Sequence, residues 1–138
     1  QYAPPMNGKR IAKYIALSAL LIIGAGILFV GYFVYSPAVE DYLSRQEFAS
    51  EAWKRAEGTG DTIRITMVDN LLDEYPLLGM SRTEVDRLLG KPEKTGYFSD
   101  YEYVYWLGPE RSFIAIDSEW LGLKFNNNKV TEASLLRD

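Results

Sequence analysis

The hydrophobic pattern takes three successive characters along the chain. From Tyr14 to Tyr35 the sequence YIALSALLIIGAGILFVGYFVY runs 22 residues without a charge. At about 1.5 Å rise per helical residue, that run covers a hydrocarbon core of about 30 Å. Apolar residues occupy every face of the helix it predicts, the pattern of a membrane span and not of a half-buried surface helix. Lys9, Arg10 and Lys13 stand before it with no acidic residue, and Glu40 and Asp41 follow it. The positive-inside bias therefore predicts a cytoplasmic N-terminus and an extracytoplasmic, periplasmic remainder, anchored once in the cytoplasmic (inner) membrane. Tyr14, Tyr32 and Tyr35 fall where interfacial aromatics are expected. A secretory signal would show a shorter apolar run and an A-x-A-like cleavage site, and neither is present.

After the span the spacing becomes three and four. Val39, Tyr42, Leu43, Ala49, Ala52, Trp53 and Ala56 predict an amphipathic stalk helix, with Ser36 as cap and Pro37 at its first position or nearly continuous with the span. Gly58-Thr59-Gly60-Asp61 ends it as a linker, since no Lys-Ser/Thr follows to make a phosphate loop. Met67, Val68, Leu71 and Leu72 predict a short helix stopped by Pro76. The next helix carries its own start and stop signals. Ser81 and Glu84 form a capping box, Met80 and Val85 are placed for a hydrophobic staple, Gly90 supplies the exit, and Pro92 prevents continuation.

Beyond Pro92 the period becomes two. Tyr97, Tyr101, Tyr103 and Tyr105 alternate with Phe98, Val104 and Trp106, and Gly108-Pro109 closes the strand. Phe113, Ile114 and Ile116 predict a short extended piece. Glu119 to Asn126 and Lys129 to Leu136 predict two strands joined by a tight Asn turn. The fold class expected is α+β: a single N-terminal transmembrane helix, then a two-layer domain of two short helices and a three-stranded antiparallel sheet. The expected division is an extended cytoplasmic arm at 1–13, the span at 14–35, stalk helix and linker at 36–60, and the α+β domain at 61–138.

Composition narrows the chemistry. There is no cysteine and no histidine, which removes disulfides, thioether lipidation, the commonest general base and the commonest transition-metal ligand. Three of the 15 basic residues precede the span, leaving 12 against all 19 acidic ones, a formal −7 beyond it. Such a surface disfavours nucleic acid. Asp100 with Glu102, and Asp117 with Glu119, are the paired carboxylates that strand spacing puts on one face. Solvated strand edges explain them as well as acid–base chemistry does, so no catalytic residue, metal ligand or cofactor is expected. Partner-facing candidates are Gly24 and Gly31, where a neighbouring helix can approach closely, Trp53 on the stalk, and the strand set Tyr101, Tyr103 and Tyr105, read as the side nearer solvent or a partner.

Gly79-Met80-Ser81-Arg82-Thr83-Glu84-Val85 with Leu88-Leu89-Gly90-Lys91-Pro92, then aromatic strands and the Leu123-to-Val130 hairpin, resembles the BamE/SmpA/OmlA family of small envelope proteins. The similarity covers residues 77–136. It implies a helix-plus-sheet domain that works by contact, as in an accessory to outer-membrane barrel assembly. The chain departs from that family's lipoproteins in having a span where they have an acylated cysteine. The stretches Tyr105–Arg111 and Asp117–Leu121 are also similar to a set of unassigned bacterial proteins. The expectation is a non-catalytic accessory subunit that braces integral membrane subunits through span and outer domain. The alternative is a free-standing envelope assembly or stress protein that binds other envelope proteins or lipid.

Overall fold

A computed structural model describes residues 7–92, 94–112 and 114–138. The chain divides into two compact units between Pro37 and Ala38. Helix α1, Gly8–Ser44, contributes to both. It is the one helix among the described residues long and apolar enough to cross a membrane. None of its residues is buried, and large side chains such as Leu20, Ile22, Leu28 and Phe29 stand exposed. Residues 8–13, expected to be extended, are helical, and the proline pair of the arm lies outside the described residues.

The helix also runs through Pro37, which was read as a possible start. A proline inside a helix forfeits one backbone hydrogen bond. The expected stalk is not one helix. Ser44 Oγ donates to the Asp41 carbonyl at 2.9 Å, and α1 stops there. Gln46 N then donates to the Thr66 carbonyl at 2.8 Å and Phe48 N to Asn70 Oδ1 at 2.7 Å. Those two donors are committed to a neighbouring helix, so residues 45–49 form no helical ladder of their own.

The second unit packs three short helices on a meander sheet. Helix α2, Ser50–Arg55, buries Trp53 completely. Helix α3, Ile63–Glu74, buries Arg64, Met67, Val68 and Leu71. Helix α4, Arg82–Leu89, opens with the expected capping box: Ser81 N donates to Glu84 Oε2 at 2.7 Å, and Glu84 N to Ser81 Oγ at 3.3 Å. Strands β1 (Tyr103–Pro109), β2 (Ser118–Asn126) and β3 (Lys129–Arg137) pair antiparallel in the order β1-β2-β3. Asn127 and Asn128 have φ of 50° and 62°, the two left-handed positions of a type I′ hairpin. Ile114 and Ile116 form no strand and are exposed, while Phe113 lies outside the described residues.

The α+β class and the antiparallel meander are as expected. The boundary at residue 60 is not, because Phe48, Trp53 and Ala56 belong to the buried core and make 45–56 part of the domain. The core lies between the helices and one sheet face, where Tyr105, Leu107, Leu121 and Leu123 meet Trp53, Val68, Leu71, Val85 and Leu89. Each such aliphatic side chain, fully buried, contributes about 1.5–3 kcal/mol. The opposite sheet face is covered too. Tyr97 and Phe98 pack on Trp120 with ring centroids 5.8 and 6.1 Å away.

Candidate partner interface

The expected tyrosine face separates into three different environments. Strand β1 begins at Tyr103, and Tyr101 still belongs to the preceding turn, its N–H donating to the Phe98 carbonyl at 2.9 Å. Period-two alternation therefore does not extend back to Tyr101, which crosses to the other side of the sheet. There its ring lies over Gly122, where an added Cβ would approach Tyr101 Cδ1 to 2.6 Å. Its hydroxyl donates to Glu132 Oε1 at 2.6 Å, and Lys124 Nζ pairs with Glu132 Oε2 at 3.1 Å. The Tyr101 hydroxyl, then Lys124 and Ser134, hold the Glu132 carboxyl down at about 2.

Tyr105 is fully buried and is not a solvent-side contact. Its hydroxyl donates to the Gly90 carbonyl at 2.8 Å, which ties the exit of α4 to the sheet. Trp53, expected to face a partner, sits at the same depth, 6.2 Å from the Tyr105 ring. The physical reason is Arg64, whose guanidinium lies 5.3 Å over the Trp53 ring and 5.9 Å from that of Tyr105. Its Nε donates to the Trp53 carbonyl at 2.9 Å, pinning α2 onto α3. Tyr103 is half-buried against Phe125, with Arg82 stacked at 4.0 Å over the Phe125 ring. Burial, then the Asp86 carboxylate, raises its phenol above the ordinary value. Gly24 and Gly31 remain open, since an added Cβ at either meets nothing within 4 Å.

Among the paired carboxylates, Glu119 is already committed. It is buried, and it accepts from Arg111 N at 2.9 Å, Nε at 3.1 Å and Nη2 at 3.0 Å. Arg111 Nη1 reaches Asp69 at 2.9 Å and Asp41 at 3.3 Å, and Arg45 Nη2 bridges the same two carboxylates at 3.1 Å each. Burial works to lower the guanidinium pKa, but Glu119 and then Asp69 outweigh it and raise it. This network joins the last turn of α1, helix α3, the loop after β1 and strand β2. It also joins the two stretches, Tyr105–Arg111 and Asp117–Leu121, singled out by similarity. Glu102 accepts from Phe125 N at 3.1 Å, whereas Asp100 and Asp117 are exposed.

An apolar groove of about 380 Å³ opens between the end of α3 and β3, lined by Leu72, Tyr75, Pro76, Leu77, Leu78 and Ala133. Nothing in the spacing of the sequence pointed to it, because Pro76-Leu77-Leu78 reads as a helix stop and not as one wall of a cleft. No family model, curated protein or solved structure matches this chain.

Proposed function

We propose that the chain is a non-catalytic, single-span accessory subunit of a bacterial membrane protein complex. Its N-terminus lies in the cytoplasm, its span in the cytoplasmic (inner) membrane, and its second unit outside, where it braces larger subunits. The observation that carries this reading is the girdle of exposed apolar side chains on α1, the one helix among the described residues long and apolar enough to cross a membrane. Lipid and neighbouring helices are the surroundings that satisfy such a surface. Open faces at Gly24 and Gly31 leave room for close helix approach. Stoichiometric co-purification with large integral subunits from mild detergent tests the proposal, and recovery as a lone polypeptide contradicts it.

A second reading, a free-standing envelope protein of BamE/SmpA type, is supported by two local features. The Ser81–Glu84 box and the Asn127-Asn128 hairpin form at the positions that the resemblance names. Under that reading the second unit binds envelope proteins or lipid without a resident complex in the inner membrane.

A further inference from the structure

Strand β3 is an edge of the sheet. Its beginning is covered, because Gly79 N donates to the Val130 carbonyl at 2.8 Å and Val130 N to that of Met80 at 2.9 Å. Past Thr131, among the described residues, no backbone hydrogen bond joins its outer edge to another segment. Edge strands are usually blunted by charge, proline or a covering element. Ala133-Ser134-Leu135-Leu136 has no charge and no proline, and Leu135 is 41% exposed.

The apolar groove lies at this open edge, with Ala133 contributed by β3 itself and Leu78, 63% exposed, on the far wall. Tyr75 also lines the adjoining depression, together with Glu47, Phe48, Asn70 and Glu74. A third depression shares Glu47 and Asn70 with it and is completed by Asp73, Gln46, Asp69 and Arg45, the arginine being paired with Asp41 and Asp69. The result is one trough, apolar beside β3 and acidic along α3. Glu47, Asp73 and Glu74 are exposed and form no ion pair among the described residues. A second copy of this chain, with its formal −7 beyond the span, does not complement that end.

We propose that this trough takes an extended segment of a partner protein, one that adds as a strand to the 132–136 edge of β3. Its apolar side chains fill the Leu78–Ala133 groove, and flanking Lys or Arg residues meet Glu47, Asp73 and Glu74. Main-chain hydrogen bonds supply adhesion in strand addition, and alternate side chains in pockets supply selectivity. The inference rests on the accessory-subunit reading and names the contact through which the second unit holds a larger subunit.

The test uses the full chain in phosphatidylcholine nanodiscs and a fluorescein-labelled peptide, Lys-Lys-Thr-Val-Thr-Val-Thr-Lys-Lys, with a Glu-flanked counterpart. Anisotropy should show saturable binding of the Lys peptide, weakened by salt. It should weaken roughly tenfold for the Glu peptide and for the double variant Asp73→Lys/Glu74→Lys, since each reversal turns attraction into repulsion. Leu78→Asp, at an exposed position, should abolish it, and bound peptide should slow amide exchange at residues 132–136. Absent binding, equal binding of the two peptides, or unchanged exchange at 132–136 overturns the proposal. Stoichiometric co-purification with integral subunits that persists in Leu78→Asp overturns this contact while leaving the accessory-subunit reading in place.

Discussion

Arg111 and Glu119 face each other across the loop between β1 and β2, and the arginine supplies both a backbone and a side-chain donor to that one carboxylate. Eight residues apart in sequence, they close the loop onto β2, and Asp69 and Asp41 complete the ring of charge around the guanidinium. Removing Glu119 takes the acceptor from three Arg111 donors and leaves the guanidinium on Asp69 and Asp41 alone, a loss of charge-assisted hydrogen bonds worth about 1.5–3 kcal/mol. Glu119→Ala should therefore lower unfolding stability in detergent micelles by about 2 kcal/mol. Arg111→Leu/Glu119→Leu together should cost less than Glu119→Ala alone. Denaturant unfolding of the two variants checks both the size and the order.

Glu132 gives the pH prediction. Its folded pKa of about 2 lies below the ordinary 4.5, so its contribution to stability is fully present above pH 4.5 and is lost as pH falls toward 2. Carbon-detected NMR should place the Glu132 midpoint near 2. Removing the Tyr101 hydroxyl, with Tyr101→Phe, should move it up toward 4.5. A midpoint that stays put in Tyr101→Phe contradicts the assignment.

Gly122 reports on the same contact from beneath. An added Cβ would meet Leu136 Cδ1 at 2.5 Å and Tyr101 Cδ1 at 2.6 Å, so Gly122→Ala must displace the Tyr101 ring. We expect a loss of about 1–3 kcal/mol, typical of overpacking. The Glu132 midpoint should rise in this variant as well, which a purely local strain would not produce.

At the hairpin, Asn127 and Asn128 occupy left-handed φ, where Asn followed by Gly is the favoured pair. Asn128→Gly should raise the melting temperature slightly, and Asn128→Ala should cost about 1–2 kcal/mol. Thermal unfolding followed by circular dichroism distinguishes them.

These outcomes separate what the sequence made legible from what it hid. Helix α4 was readable because its start and stop signals are local: Ser81, Glu84 and Gly90 act within a few residues of one another. The hairpin was readable for the same reason, and the apolar run of α1 because it is contiguous, although the helix continues beyond that run at both ends. Trp53 and Tyr105 were misplaced because their burial depends on Arg64, a charged residue 11 positions beyond Trp53 whose guanidinium stacks on both rings. Periodicity also failed at Tyr101, since the turn from Phe98, with φ of 55°, changes the side of the sheet before β1 begins. The Arg111 hub depends on contacts 42 and 70 residues apart in sequence, which no spacing rule reaches.

The proposed role turns on whether the span has protein neighbours, and native mass spectrometry of mild-detergent extracts measures that directly. The account predicts the chain at fixed stoichiometry within a larger assembly of integral subunits, and its loss from that assembly when Gly24 and Gly31 are both changed to Leu. A spectrum showing only the isolated chain with bound lipid, the same in wild type and variant, contradicts it.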